Sequence, residues 1–487
     1  MSVKSVVISG TKWTTASTVC TAIVQILRVS ILARFLEKSD FGVVAIVTLI
    51  FGLVETFGDL GFSTAIMHKK DINEKEFSSL FWMQLLLFVG IYLVSCLFTG
   101  LISETYEEPA LMHALPVALL GLIFFAIGKL YDTVLQKQFQ FRVIAIRNII
   151  AALISLVAAV ILAIMGAGLY SLIISTLLQT LIVNVWNFAV GFKLYRISFY
   201  FNFKEVVPLI KIGVYQTGTQ IIDYLASRLD ILLIGKILGS EMLGVYNLAK
   251  DLLVRVFVLI NTIANKVALP VFSYMQDDNQ QLRDNYCRLI KTLSFVTLPF
   301  LTMIGALSIP LVTILYGDKF ADVAPLMMIL AISYLFSCIG NPVGNIITAK
   351  GRTDISFIYT IIRMVISLPV VWVTAKMGAV ELAIGQIVLA ILGGFISWYM
   401  ELWKIIDLRL SQYLGSFIVP LTISTVVIIA GYYFVKLNIF SIELSIYQLV
   451  AYALPVFLLY ALLQWVFNKI QVKSNLALFQ RMVSRIK

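Results

Sequence analysis

Apolar runs of about 20 residues or more, the length a helix needs to cross the hydrocarbon core of a bilayer, follow one another along the whole chain. They predict helices near 13–35, 41–66, 78–101, 111–136, 144–165, 168–194, 208–236, 243–268, 288–309, 323–349, 354–376, 379–403, 413–435 and 446–468. A helix closes its own backbone hydrogen bonds, which lipid cannot do for it. The alternation over about 10 residues that marks an outer-membrane barrel is absent. Only 13% of the 487 residues are charged, whereas a soluble domain carries roughly 25%. A single soluble core also stops growing beyond roughly 250–300 residues. The expectation is an all-α integral membrane protein with about fourteen transmembrane helices. The first of them runs from Trp13 through Gln25 and Arg28 to full length, so it reads as a retained span rather than a cleaved signal.

A formal charge of +11 invites a nucleic-acid partner, but its distribution points elsewhere. With the N-terminus inside, inward loops and tails hold 24 Lys and Arg, among them Lys69, Lys137, Arg147, Lys350 and Arg409. Outward loops hold 6, and 7 fall inside spans. This is the positive-inside pattern, with both termini cytoplasmic; attraction to anionic lipid headgroups follows from it. No nucleic-acid partner is expected. The four cysteines lie in or beside spans and suggest no disulfide framework. His68 and His113 are too far apart to form a metal pair, so no metal or other cofactor is expected.

A weak repeat underlies the spans. Leu32-Ala33-Arg34-Phe35-Leu36 with Asp40-Phe41-Gly42-Val43 resembles Ile234-Gly235-Lys236-Ile237-Leu238 with Met242-Leu243-Gly244-Val245, an offset of 202 residues. Ile127-Gly128 and Ile339-Gly340 echo it at 212. Six helices separate the copies, and an even number preserves orientation, so the repeat is parallel, about an axis along the membrane normal. The predicted organisation is an N-terminal lobe at 1–204 and a C-terminal lobe at 205–409, six helices each, around a central cavity. Residues 410–487 then hold helices 13 and 14 and a cytoplasmic tail.

Ionisable groups at membrane depth cost about 2.5 kcal/mol or more each on insertion scales, so they mark function or pairing. The basic ones are Arg28, Lys129, Arg228, Lys250, Arg255, Lys266 and Arg363; the acidic ones are Glu55, Asp59, Asp132, Asp223, Asp230 and Asp251. Lys129 and Lys266 lie nearer helix ends, where snorkelling or pairing accounts for them. Asp251 and Arg255 are four apart and able to neutralise each other. Glu55 and Asp59, also four apart, and Asp223 and Asp230, seven apart, place carboxylates on shared helix faces. Such pairs suit H+ or Na+ coupling, or else salt bridges to Arg28 or Arg255. Gly340-Asn341-Pro342 and Pro369 suit either hinges or static bends.

The motifs around the repeat, with Asp59-Leu60-Gly61-Phe62-Ser63-Thr64-Ala65-Ile66, Ser79-Leu80-Phe81-Trp82, Arg228-Leu229-Asp230 and Gly244-Val245-Tyr246-Asn247-Leu248-Ala249, resemble the polysaccharide-transporter branch of the multidrug/oligosaccharidyl-lipid/polysaccharide (MOP) flippase superfamily. The stretch from Asp59 to Trp82 is most similar to its colanic- and teichuronic-acid exporters. That resemblance implies a MATE-like fold and a Wzx-type flippase in the bacterial inner membrane. Such proteins move undecaprenyl-diphosphate-linked oligosaccharide across the membrane by alternating access. A diphosphate headgroup needs cationic partners. Arg28, Arg255 and Arg363, near mid-span, are the leading candidates, followed by Arg228 and Lys250. The substrate and membrane lipids are the implied partners, together with polysaccharide polymerase and export machinery; the transport unit is expected to be a monomer. The alternative within the superfamily is a MATE-like drug/cation antiporter. No enzyme is expected: a phosphate-cradling Gly-Lys-Ser/Thr, an Asp-x-Asp pair and a His-Glu metal motif are all missing from the sequence.

Overall fold

The structure is a computed structural model that describes residues 3–69, 72–340, 342–438 and 445–469. Asn341 and most of the C-terminal tail, on which expectations above fall, lie outside the described residues, as do the side chains of His68 and Lys266. Every regular element among the described residues is helical. Twelve helices among the described residues are long and apolar enough to cross a membrane. The predicted seventh and eighth spans coincide with two further long helices, Phe203–Ile237 and Gly239–Tyr274.

By contacts the chain forms two compact units, Met1–Gly244 and Val245–Lys487. The 204/205 boundary read from the sequence rests on the spacing of a repeat, whereas these units divide by packing.

The first unit contains α1 (Val3–Leu32), α2 (Lys38–Asp59), α3 (Phe62–His68), α4 (Glu74–Leu97), α5 (Thr99–Tyr106), α6 (Ala110–Leu119), α7 (Gly121–Lys137), α8 (Phe141–Ile164), α9 (Leu169–Gly191), α10 (Phe203–Ile237) and the first turn of α11 (Gly239–Tyr274). Helix α1 packs on α8, α9 on both α7 and α8, and α10 on α2 and α3. A core of Phe62, Ile66, Phe77, Leu80, Leu130 and Tyr131 joins α3, α4 and α7. The sequence predicts one helix over 41–66, but Leu60 (φ 38°) and Gly61 (φ 77°) are left-handed and split it into α2 and α3. Glycine reaches that region without penalty. Helix α4 starts with a capping box, in which Asn73 Oδ1 accepts from the Glu76 amide at 2.8 Å and Glu76 accepts in return from the Asn73 amide.

At one point α2 and the start of α11 pass with no side chain between them. A Cβ on Gly42 would run into the backbone of Ser240, and a Cβ on Gly244 into the backbone of Lys38. Ser240 and Gly244 follow Lys38 and Gly42 by the same 202 residues as the sequence repeat. The contact is therefore reciprocal, each glycine receiving the backbone opposite the other.

The second unit continues with α12 (Asn279–Ala306), α13 (Ser308–Tyr316), α14 (Val323–Gly340), α15 (Val343–Ala349), α16 (Thr353–Met377), α17 (Ala379–Ser397), α18 (Lys404–Ile406), α19 (Leu410–Gly415), α20 (Ile418–Lys436) and α21 (Ser445–Phe467). Helix α12 packs on α14 and α20, α17 on α14 and α16, and α21 on α20. Pro369 lies inside an uninterrupted α16, while Pro342 sits at the break between α14 and α15. Between α17 and α18 the chain makes a π-helical turn, Trp398–Trp403.

A lysine clamp recurs in each unit. Lys137, at the end of α7, donates to the carbonyls of Ile66 (2.9 Å) and Lys69, fastening the end of α3. Lys350, just after α15, donates to the Gln276 carbonyl and to Asn279 Oδ1 (2.6 Å), fastening the connection before α12. Both cations meet the negative, carbonyl-rich ends of helices.

Candidate functional site

In the first unit three helices gather opposite charges. Glu55 and Asp59 stand one turn apart on α2. Asp59 accepts from Ser63 Oγ at 2.6 Å. Glu55 lies within electrostatic reach of both Asp59 and Lys129 of α7. The Lys129 ammonium sits 4.7 Å from the centre of the Phe125 ring. From α10, Tyr224 donates to the Leu49 carbonyl at 3.0 Å and feels the charges of both Arg228 and Glu55. The Arg228 guanidinium lies 5.6 Å from that tyrosine ring. Gly52 makes room for this approach, since a Cβ there would strike the Tyr224 hydroxyl. Two carboxylates and two cations thus share one neighbourhood.

Arg28 is half-buried on α1 and takes partners from other helices. Its guanidinium donates to Ser155 Oγ on α8 (3.1 Å) and Thr176 Oγ1 on α9 (3.3 Å). One turn before it, Gln25 Nε2 donates to Gln179 at 3.2 Å. The two acidic residues of α10 differ in setting: Asp223 is exposed, while Asp230 is 4% exposed and accepts from the Ile231 amide at 2.9 Å.

In the second unit the i,i+4 pair predicted from the sequence is formed, with Arg255 and Asp251 2.7 Å apart and both side chains partly exposed. Lys250 is the neighbouring residue and half-buried. Arg363 is also half-buried, and its charge reaches Glu401.

Two charged residues escape the sequence reading. Arg147, counted there among inward loop cations, is instead 3% exposed, two turns inside α8. It pairs with Asp132 at 2.8 Å, donates to Asn148 Oδ1 at 2.9 and 3.1 Å, and also bonds Asn187. Its position three residues past the predicted start of the span made it look interfacial. Glu401 is 3% exposed, although Trp403 and Lys404 beside it read as a helix end at the membrane surface. The π turn is what carries it inward. A lone carboxylate before an aromatic-basic pair gives no sequence signal of that.

Residues 31–325, more than half of the chain, match the family described as polysaccharide biosynthesis protein. The chain is 26% identical over 441 residues to the lipopolysaccharide biosynthesis protein WzxC of Escherichia coli (strain K12), covering 89% of this chain and 88% of that one. It is 26% identical over 436 residues to the teichuronic acid biosynthesis protein TuaB of Bacillus subtilis (strain 168), covering 87% and 88%. Among solved structures, the lipid II flippase MurJ in an inward closed conformation superposes with a TM-score of 0.71 at 15% identity, over 96% of this chain and all of that one. An inward-facing multidrug resistance MATE transporter of the MOP superfamily superposes at 0.63 and 15%, over 79% and 95%. The MATE-like fold expected from the resemblance is therefore the fold observed. The chain belongs to the polysaccharide biosynthesis protein family, built on the fold that the MOP superfamily shares.

Proposed function

We propose that this protein is a flippase for undecaprenyl-diphosphate-linked oligosaccharide, working by alternating access in the bacterial inner membrane with both termini cytoplasmic. The observation that carries the reading is near full-length similarity to proteins named for lipopolysaccharide and teichuronic acid biosynthesis. Arginines and lysines at membrane depth give it a chemical basis. Arg28, Arg228, Lys250, Arg255 and Arg363 supply the positive charge that a diphosphate requires in a low-dielectric setting. Arg28 already donates from one terminal nitrogen, Nη1, to two neutral hydroxyls, which a phosphate oxygen would outbid. Arg255 must first loosen its pair with Asp251. The carboxylates Glu55, Asp59, Asp223 and Asp230 are the groups for H+ or Na+ coupling, and polymerase and export machinery are the downstream partners of a monomeric transport unit.

Deleting the gene in a producing strain is expected to accumulate undecaprenyl-linked repeat units on the cytoplasmic face. Complementation with Arg28→Ala or Arg363→Ala is expected to lower glycan export roughly 10- to 100-fold, the effect of losing a charge-assisted bond of about 1.5–3 kcal/mol. Lysine at either position retains part of it. Normal glycan with heightened drug sensitivity in the deletion strain would favour the MATE-like antiporter instead. Wild-type export by both alanine variants would remove these arginines from the binding machinery.

A further inference from the structure

The π turn Trp398–Trp403 inserts an extra residue into an otherwise regular helical run. Such insertions weaken local hydrogen bonding and recur at functional sites, where they re-aim a side chain. Here the side chain is Glu401, buried to 3% exposure in a span that otherwise carries apolar residues on this stretch.

Its surroundings are unusual for a fixed ion pair. On its own helix, Ser397 Oγ donates to the Glu401 carboxylate. From α16 comes the charge of Arg363. From α12 and α19 come Tyr286 and Tyr413, both within electrostatic reach of the carboxylate, and Tyr359 of α16 faces Tyr413 in turn. Helix α15 also packs on the turn but contains no titratable residue. Lys404 turns aside, its ammonium 4.9 Å from the centre of the Tyr399 ring. The Tyr286 hydroxyl is fully buried and has no hydrogen-bond partner among the described residues. A buried donor left unmade is costly and rare, so a group that changes its hydrogen-bonding pattern is expected beside it. A carboxyl is such a group: ionised it only accepts, protonated it also donates. Arg363 is the cation within electrostatic reach of that carboxyl, so what else claims the arginine decides how the acid is compensated.

We propose that Glu401 is a proton-binding site coupled to the cargo through Arg363. This rests on the reading of Arg363 as a diphosphate ligand. With Glu401 ionised, its charge compensates Arg363. When the carboxylate takes up one proton from hydronium in the solvent, leaving water, it becomes the neutral acid with no other covalent bond changed, and the guanidinium is released to the anionic headgroup. Linkage is reciprocal: protonation tightens headgroup binding, and headgroup binding favours proton uptake. The site is distinct from the Glu55–Asp59 group of the first unit.

The test uses the full chain in lipid nanodiscs with a short-chain prenyl-diphospho-N-acetylglucosamine. Its diester phosphates keep a constant charge across the range, so any pH dependence belongs to the protein. Binding is expected to be about tenfold tighter at pH 5.5 than at pH 8.5, within the usual span of coupling between sites. Glu401→Gln, a neutral isostere, is expected to bind at the acid affinity at both pH values. Arg363→Gln should bind at least tenfold more weakly with no pH dependence, while Arg363→Lys should keep the dependence. Trp398 and Trp403 flank Glu401 and report independently, through a pH titration of intrinsic fluorescence without probe. Loss of that titration in Glu401→Gln supports the proton site. Its survival overturns the site whatever binds. A Glu401-dependent titration in a protein that never binds the probe would keep the site and overturn both the linkage and the flippase reading.

Discussion

Arg147→Ala is expected to destabilise the first unit by about 3–5 kcal/mol, the cost of stranding one member of a buried ion pair. Arg147 ties α8 to α7 through Asp132 and to α9 through Asn187. Without it, Asp132 keeps a hydrogen bond from Gln136 (2.8 Å) but loses its cation. For a unit of this size each kcal/mol moves the midpoint by roughly 2–4 °C, so thermal unfolding in detergent should fall by about 10 °C. Replacing both partners, Arg147→Met with Asp132→Leu, should restore most of the loss, because an apolar pair of similar volume needs no compensation. An unchanged midpoint for Arg147→Ala would show that the network carries no stability.

The second large effect is expected at the crossing of α2 with the start of α11. Gly42→Ala and Gly244→Ala each place a methyl group where a backbone carbonyl already sits. A flexible side chain could give way; a carbonyl moves only with its helix. Overpacking of this kind costs typically about 1–3 kcal/mol. The double variant should cost less than the sum, since one displacement relieves both clashes. Gly42→Leu should yield little folded protein. Size-exclusion profiles and melting of the purified variants measure this, and alanine variants as stable as the parent would mean that the helices part easily there.

Most of the helices were legible because lipid leaves so few options. A run of about 20 apolar residues must be a helix, but polar turns lengthen several beyond the run: α12 begins at Asn279 where the apolar stretch begins near 288, and α11 runs on to Tyr274. One break was marked by its residues, at Pro342 between α14 and α15; another was not. Leu60–Gly61 follows Asp59 within a span that is long enough for one helix, and only the left-handed backbone there separates α3 from α2. The candidate site divides in the same manner. Spacing along one helix foretold that Arg255 would meet Asp251. Partners from different helices, such as Lys129 with Glu55 or Glu401 with Arg363, depend on which faces the packing turns together, and one chain's periodicity does not record that. Arg147 was misread because a cation near a span's end is ordinarily at the surface, and nothing local announces Asn187 forty residues later.

The lysine clamps bear on how the protein holds to its bilayer. Lys137 and Lys350 belong to the basic surplus of the sequence, yet each ammonium is turned onto carbonyl oxygens rather than outward. A cation engaged in that manner is a poor tether for phosphatidylglycerol or cardiolipin. The exposed positive charge is offered instead by Lys193 and Arg196 in the segment joining α9 to α10 and by Lys204 in the first turn of α10, which makes these the cations free to meet acidic headgroups.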